Sequence, residues 1–271
     1  MSYRDFVKDI KTKPAIVAHR GAWHHGPENS LKAIEAAIEA GYEIAEVDIQ
    51  KSADGTLFLL HDESLKRMTG IDRIAAQLPL CDIQSPPMQE RMGGDGAKMT
   101  GHHIPILKDA LDLARNRIFL DLDVKFFDFL PDVARLVAEM GMQNQVDIKI
   151  KVQSEDQGKY LRELEETYGL MVMPMTRFED HNADELIGLL KSIGANVVET
   201  KFDALETIAR RAPLFEAADL TIWVNSLDPV ACCALKDSAA LEDPDAVWGK
   251  LLSAGVRIIQ TDEPEALMGW R

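Results

Sequence analysis

Short apolar runs alternate along this chain with stretches whose apolar residues recur at helical spacing. Ile16, Val17 and Ala18 form the first run, which stops at His19-Arg20-Gly21. Leu57, Phe58, Leu59 and Leu60 form another, which stops at His61-Asp62. Both have the character of strands covered on two faces, as in a parallel sheet. Between them, Leu31, Ile34 and Ile38 predict a helix, with Ser30 as its N-cap and Gly41 just past its end. A lead-in helix is expected before Lys13, with Phe6, Val7 and Ile10 as its stripe. The first strand is expected over 15–19, a second over 44–49 and a third over 57–61. The turn Ala53-Asp54-Gly55-Thr56 is so short that the second and third strands should form a hairpin-like pair.

Beyond residue 118 the alternation is steady. Strands are expected over 118–125, 146–152, 170–173, 196–200, 220–224 and 256–260. Helices are expected over 131–140, 154–168, 180–193, 203–218 and 242–253. With the first half this makes about eight strands in a parallel sheet, an α/β architecture. Residues 63–105 break the pattern, being rich in Pro and Gly and poor in apolar stripes. They read as an insertion within one domain spanning 1–271. A lid or binding loop is the favoured reading of it, against a loosely packed decoration.

The alternation also sorts the polar residues. In the second strand Ile44, Glu46 and Asp48 share one face. Two carboxylates so placed can converge on one hard cation; the alternative is a solvent-facing edge strand. In 118–125, Phe119, Asp121, Asp123 and Lys125 share one face and Leu120, Leu122 and Val124 the other. His19 and His61 sit at the carboxyl ends of their strands, the end where α/β folds place chemistry. A pair of histidines can serve as acid and base near neutral pH. His24 and His25 read as loop surface or substrate rim. Lys149 and Lys151 share a strand face, either to bind phosphate or because a tilted strand takes them to solvent.

Composition narrows the partners. The 271 residues suffice for one large domain, and a formal net charge of −15 disfavours nucleic acid and anionic lipid surfaces. It would also repel an anionic substrate, so a local cation or basic pocket is required. No N-terminal run resembles a signal peptide and no stretch approaches a membrane span. Cys81, Cys232 and Cys233 lack metal-site spacing and read as reduced thiols. A cytoplasmic location without stable membrane insertion is therefore expected, and oligomeric state is not legible.

The order of several pieces resembles the glycerophosphodiester phosphodiesterase family. They are His-Arg-Gly at 19–21, Pro-Glu-Asn-Ser at 27–30, Glu46-Val47-Asp48, Asp54-Gly55, and His61-Asp62 followed by Leu65 and Arg67-Met68-Thr69. The resemblance implies a TIM (β/α)8-type barrel, like that of phosphoinositide phospholipase C, with an insertion near the barrel mouth. It implies a divalent metal, Mg²⁺ or Ca²⁺, held by Glu46, Asp48 and Asp123, where Asp123 stands in place of the family's usual Glu. Lys125 stands where the family has its Lys. His19 and His61 are then the acid/base pair, with Arg20 and Lys125 as positive charge for the phosphate. Trp223 resembles the family's Trp near the pocket, which implies a contact with glycerol or head group; a core aromatic is the alternative. Glu28 either orients a neighbouring group of the site or complements a helix N-terminus. For Asp262, a helix N-cap is set against a catalytic role.

The implied reaction is hydrolysis of a small-molecule glycerophosphodiester to glycerol 3-phosphate and an alcohol. A cyclic phosphate formed by the glycerol 2-hydroxyl is its expected intermediate. The alternatives are a lysophospholipid or sphingolipid phosphodiesterase or lyase that stops at the cyclic phosphate, and a non-catalytic phosphodiester-binding barrel.

Overall fold

A computed structural model describes residues 1–271. Its strands are β1 (Ala15–Ala18), β2 (Ile44–Lys51), β3 (Leu57–Leu59), β4 (Phe119–Val124), β5 (Val146–Lys151), β6 (Met171–Phe178), β7 (Val197–Phe202), β8 (Thr221–Asn225) and β9 (Val256–Thr261). They hydrogen-bond in the order β1-β9-β8-β7-β6-β5-β4-β2-β3, and β1 also pairs with β2. With that second pairing the strands follow the order of an eight-stranded parallel barrel, the fold implied by the resemblance, while the alternation itself predicts the parallel sheet. β3 is the extra strand. It pairs antiparallel with the end of β2, Ile49 opposite Leu59 and Lys51 opposite Leu57, as the short turn predicts.

Two compact units divide the residues, Ala18–Ile148 and Met1–Val17 with Lys149–Arg271. In the first, the helix Leu31–Ala40 starts where the Ser30 hydroxyl accepts the Ala33 N–H and ends at Gly41 in the left-handed region. β2 and β4 run parallel, with Glu46 opposite Asp121 and Asp48 opposite Asp123. Alternation therefore lays these four carboxylates along one face. The 63–105 stretch is no loose decoration. Leu65, Met68, Ala75, Leu78, Ile83, Met88 and Ile104 are buried with Phe58 and Leu60 in one cluster. Its short helices, Lys66–Thr69 and Leu80–Gln84, gather apolar residues whose linear spacing carries no period.

In the second unit, the helix Tyr3–Asp9 opens with a reciprocal Ser2–Asp5 capping box. Arg4 ties it to Glu165 at 2.9 Å and to Asn196 at 2.7 Å. Three spans differ from expectation. β6 continues past Pro174 to Phe178, although proline removes one donor from the ladder. The 203–218 helix is broken into Leu205–Ala209 and Ala212–Ala217, with Pro213 in the first turn of the second piece. The 242–253 helix contains a π-turn over Asp245–Gly249.

Asp262 is not a helix N-cap. The last helix, Pro264–Trp270, has Glu263 at that position, without a side-chain cap. The Asp262 N–H instead donates to Asp237 at 2.8 Å, and the same carboxylate accepts from Ser226 at 2.6 Å and Thr261 at 2.7 Å. Asp237 is buried and holds the end of β9 by two of these bonds and the residue after β8 by the third.

Candidate active site

The carboxylates of β2 and β4 converge. Ligand atoms of Glu46, Asp48 and Asp123 lie within 4.8 Å of one another. The parallel register sets Asp48 and Asp123 side by side, and alternation puts Glu46 one pleat below Asp48. Asp121, opposite Glu46, is fully buried and stands outside this cluster.

Positive charge is interleaved with the carboxylates. The Lys125 ammonium lies 2.6 Å from Asp48 and 3.5 Å from Asp123. The Arg20 guanidinium lies 3.3 Å from Asp48, and its backbone N–H donates to Glu46 at 2.9 Å. Asn29 grips Asp48 twice: its amide donates to the carboxylate at 2.7 Å, and its oxygen accepts the Asp48 N–H at 2.9 Å. Burial would raise the Asp48 pKa. Lys125, then Arg20, then His61 outweigh that and hold the carboxyl well below the usual carboxylate range. Burial works equally against the charges on Lys125 and Arg20, but their acidic neighbours push both pKa values up.

The turn after β1 aims Arg20 at these groups. Arg20 has φ +55° and Gly21 φ +76°, both in the left-handed region. A Cβ at Gly21 would meet the backbone and side chain of Ala33 at 2.8 Å, so glycine is required where the turn crosses the helix. Asn29 also has φ +55°, and its N–H donates to the Arg20 carbonyl at 3.0 Å. Such φ values in non-glycine residues are uncommon outside tightly constrained sites.

A chain of ion pairs runs from Arg20 to His61. Arg20 donates to both oxygens of Glu28, at 3.0 and 3.1 Å. Arg67, from the insertion, donates to the same two oxygens at 2.7 and 2.9 Å. Arg67 then makes a second fork to Asp62, at 2.7 and 2.9 Å. Arg67's hydrogen bonds hold the Asp62 carboxyl down to about 2. Ionised Asp62 accepts from the His61 Nδ1–H at 2.7 Å, which leaves Nε2 as the ring nitrogen free to carry or take a proton. Gln50 fixes the backbone of this corner, donating to the carbonyls of Leu60 and Asp62 at 2.8 and 2.7 Å.

The structure thus brings together Glu46, Asp48, Asp123, Lys125, Arg20 and His61. His19 follows β1, half-buried and next in the chain to Arg20. Trp223 is described by its own unit. It lies in the other unit, fully buried, with its indole N–H donating to Asn225 at 2.9 Å. With the ring fully buried, its role toward a substrate stays a proposal beside the core-aromatic reading. His24 stacks on Trp23 at 3.9 Å, and His25 is exposed. Glu28 is the centre of an ion-pair network and does more than complement a helix end. Asn29 and Gln50 were missed as contributors. Asn29 had a signal, since it belongs to Pro-Glu-Asn-Ser, whereas Gln50 had none.

Three carboxylates on two strands form an all-oxygen donor set, which suits a hard divalent cation. Their charge exceeds that of Lys125 and Arg20, so the residues present fit Mg²⁺ or Ca²⁺.

Comparison with known proteins agrees with this geometry. Residues 19–213 match the Glycerophosphoryl diester phosphodiesterase family, and residues 172–271 match a domain of unknown function, DUF4996. A glycerophosphodiester phosphodiesterase of Caldanaerobacter subterraneus is 31% identical over 114 residues, 42% of this chain and 46% of that protein. The matched stretch spans less than two thirds of the curated relatives' length. The crystal structure of a glycerophosphodiester phosphodiesterase from Agrobacterium tumefaciens is 25% identical, with TM-score 0.68, over 96% of this chain and 100% of that one. A phosphodiesterase from Oleispira antarctica, in complex with its product sn-glycerol-3-phosphate, shares the fold at 17% identity and TM-score 0.66, over 95% and 96% of the two chains. With 19–213 matched and the carboxylates of the motif converging from β2 and β4, the chain belongs to the glycerophosphoryl diester phosphodiesterase family.

Proposed function

We propose that this protein hydrolyses glycerophosphodiesters to glycerol 3-phosphate and an alcohol. The observation that carries the reading is the convergence of Glu46, Asp48 and Asp123 within 4.8 Å, with Arg20 and Lys125 against Asp48. Glu46, Asp48 and Asp123 would hold a divalent cation, Mg²⁺ or Ca²⁺. Bound there, it supplies a Lewis acid that offsets the negative charge of the phosphodiester.

The chain's own groups do the rest. Arg20 and Lys125 give fixed positive charge, so a phosphate is attracted despite the net charge of −15. Asp62 orients the His61 ring through Nδ1, which presents Nε2 for proton transfer. His19 and His61 divide the acid and base work. One takes the proton from the attacking oxygen as its bond to phosphorus forms. The other delivers a proton to the leaving alkoxide as the phosphorus–oxygen bond to the alcohol breaks. The protein from Oleispira antarctica, which shares the fold, was solved with sn-glycerol-3-phosphate, the product expected from this reaction.

The test is cleavage of glycerophosphocholine and glycerophosphoethanolamine with EDTA and metal add-back. Glycerol 3-phosphate released in a manner abolished by EDTA and restored by Mg²⁺ or Ca²⁺ is the expected result. Accumulation of a cyclic phosphate would replace hydrolysis by the lyase reading. No turnover with any metal would overturn the catalytic reading.

A further inference from the structure

Lys149 and Lys151 share one face of β5, yet their environments differ. Lys149 is 5% exposed and pairs with Glu199 at 3.1 Å. Glu199 also accepts from the Asn225 amide at 3.2 Å. The charge of Lys149 is therefore spent inside the sheet. The Lys151 side chain is exposed and makes no hydrogen bond or ion pair, and the same holds for the Lys201 side chain near the end of β7. Arg177 of β6 stands directly opposite Lys201 in the register. It is held by Asp203 and, at 3.6 Å, by Glu179.

Lys151, Arg177 and Lys201 line one cavity of about 340 Å³, together with Met175 and Glu199. Like charges directly opposite on neighbouring strands repel. The chain has 45 acidic residues against 30 lysines and arginines, so partners for two lysines are not scarce. Nevertheless both ammonium groups lack one. Glu199, the one carboxylate of the lining, is already neutralised by Lys149, so it neither pairs with these lysines nor makes the cavity a cation site.

The geometry points to an oxyanion site: a phosphate or carboxylate group bound between Lys151 and Lys201, beside Arg177, whose own charge is taken up by Asp203 and Glu179. Ammonium groups bind such anions as point charges. The anion is a free one, inorganic phosphate or a small phosphorylated or carboxylated molecule.

The binding test needs no turnover, so its failure is separate from failure of the catalytic reading. The full chain, labelled with ¹³C in its methionine methyl groups, is titrated with inorganic phosphate and read at Met175. A saturable shift is expected, weakened at least about tenfold in Lys151→Ala/Lys201→Ala, as a lost charged contact would give, and retained in Lys151→Arg/Lys201→Arg. Lys125→Ala, which alters the groups around Asp48, should leave the Met175 shift in place. No saturable shift, or equal affinity in Lys151→Ala/Lys201→Ala, overturns the proposal.

Discussion

Arg67 and Glu28 meet through two hydrogen bonds, at 2.7 and 2.9 Å, although 39 positions separate them in the chain. Glu28 is fully buried and also holds Arg20, so one carboxylate joins the insertion to the turn after β1. Replacing it leaves two guanidinium groups facing each other without their shared anion. Removing one partner of a buried pair costs roughly 3–5 kcal/mol. Glu28→Gln should lose about that much in urea unfolding, and turnover should fall as Arg20 loses its support. A variant as stable as the parent would remove Glu28 from this role.

The His61–Asp62 pair sets a kinetic expectation. His61→Ala should lower kcat by roughly 10²–10⁴ if its ring moves a proton in the reaction. The side chain is 37% exposed, so the fold should survive its loss, and circular dichroism checks that. Asp62→Asn should give a smaller loss, because the ring keeps its place in the site but loses its ionised acceptor. Intact turnover in His61→Ala would end the acid/base assignment.

Cation binding can be read apart from activity. A ligand that binds only the folded state at about a hundred times its Kd stabilises by about 2.7 kcal/mol. Mg²⁺ or Ca²⁺ should therefore raise Tm in the parent protein. Asp123→Asn, which removes one of the three converging carboxylates, should flatten that rise. A Tm insensitive to either ion would count against the site.

Two aspartates should drive stability in opposite directions with pH. Asp62 is held down to about 2 by Arg67's hydrogen bonds, below its unfolded value of about 3.9. Its contribution is complete above about pH 4 and is lost as pH falls towards 2. Asp237 is raised to about 6 by burial, which exceeds the lowering by Ser226, Thr261 and the Asp262 N–H. The folded state then binds its proton more tightly than the unfolded state, so this contribution is present below about pH 4 and lost as pH rises through 6. Urea unfolding from pH 2 to 7 should show a shallower acid limb in Asp62→Asn. In Asp237→Asn it should show a steeper net gain between pH 4 and 6. Curves parallel to the parent's would exclude both assignments.

Much of the barrel was legible because its signals are local. Alternation along 44–49 and 118–125 places Glu46, Asp48, Asp123 and Lys125 on one strand face each, whatever the neighbours are. The turn at 53–56 forces a hairpin, and the ordered motifs from His19 to Thr69 point to one family. Helix ends were less legible. Pro213 and the π-turn at Asp245–Gly249 break spans whose apolar period runs on.

Other relationships arise only when distant segments are packed. Arg67 finds Glu28, Gln50 finds the carbonyls of Leu60 and Asp62, and Lys149 finds Glu199 rather than solvent. The full burial of Trp223 and the separation of Lys151 from its neighbour's fate belong to the same class. Periodicity says which face a side chain takes, because that follows from the backbone geometry of its own strand. Its partner depends on register and on which strand lies alongside, and those are decided by the tertiary structure.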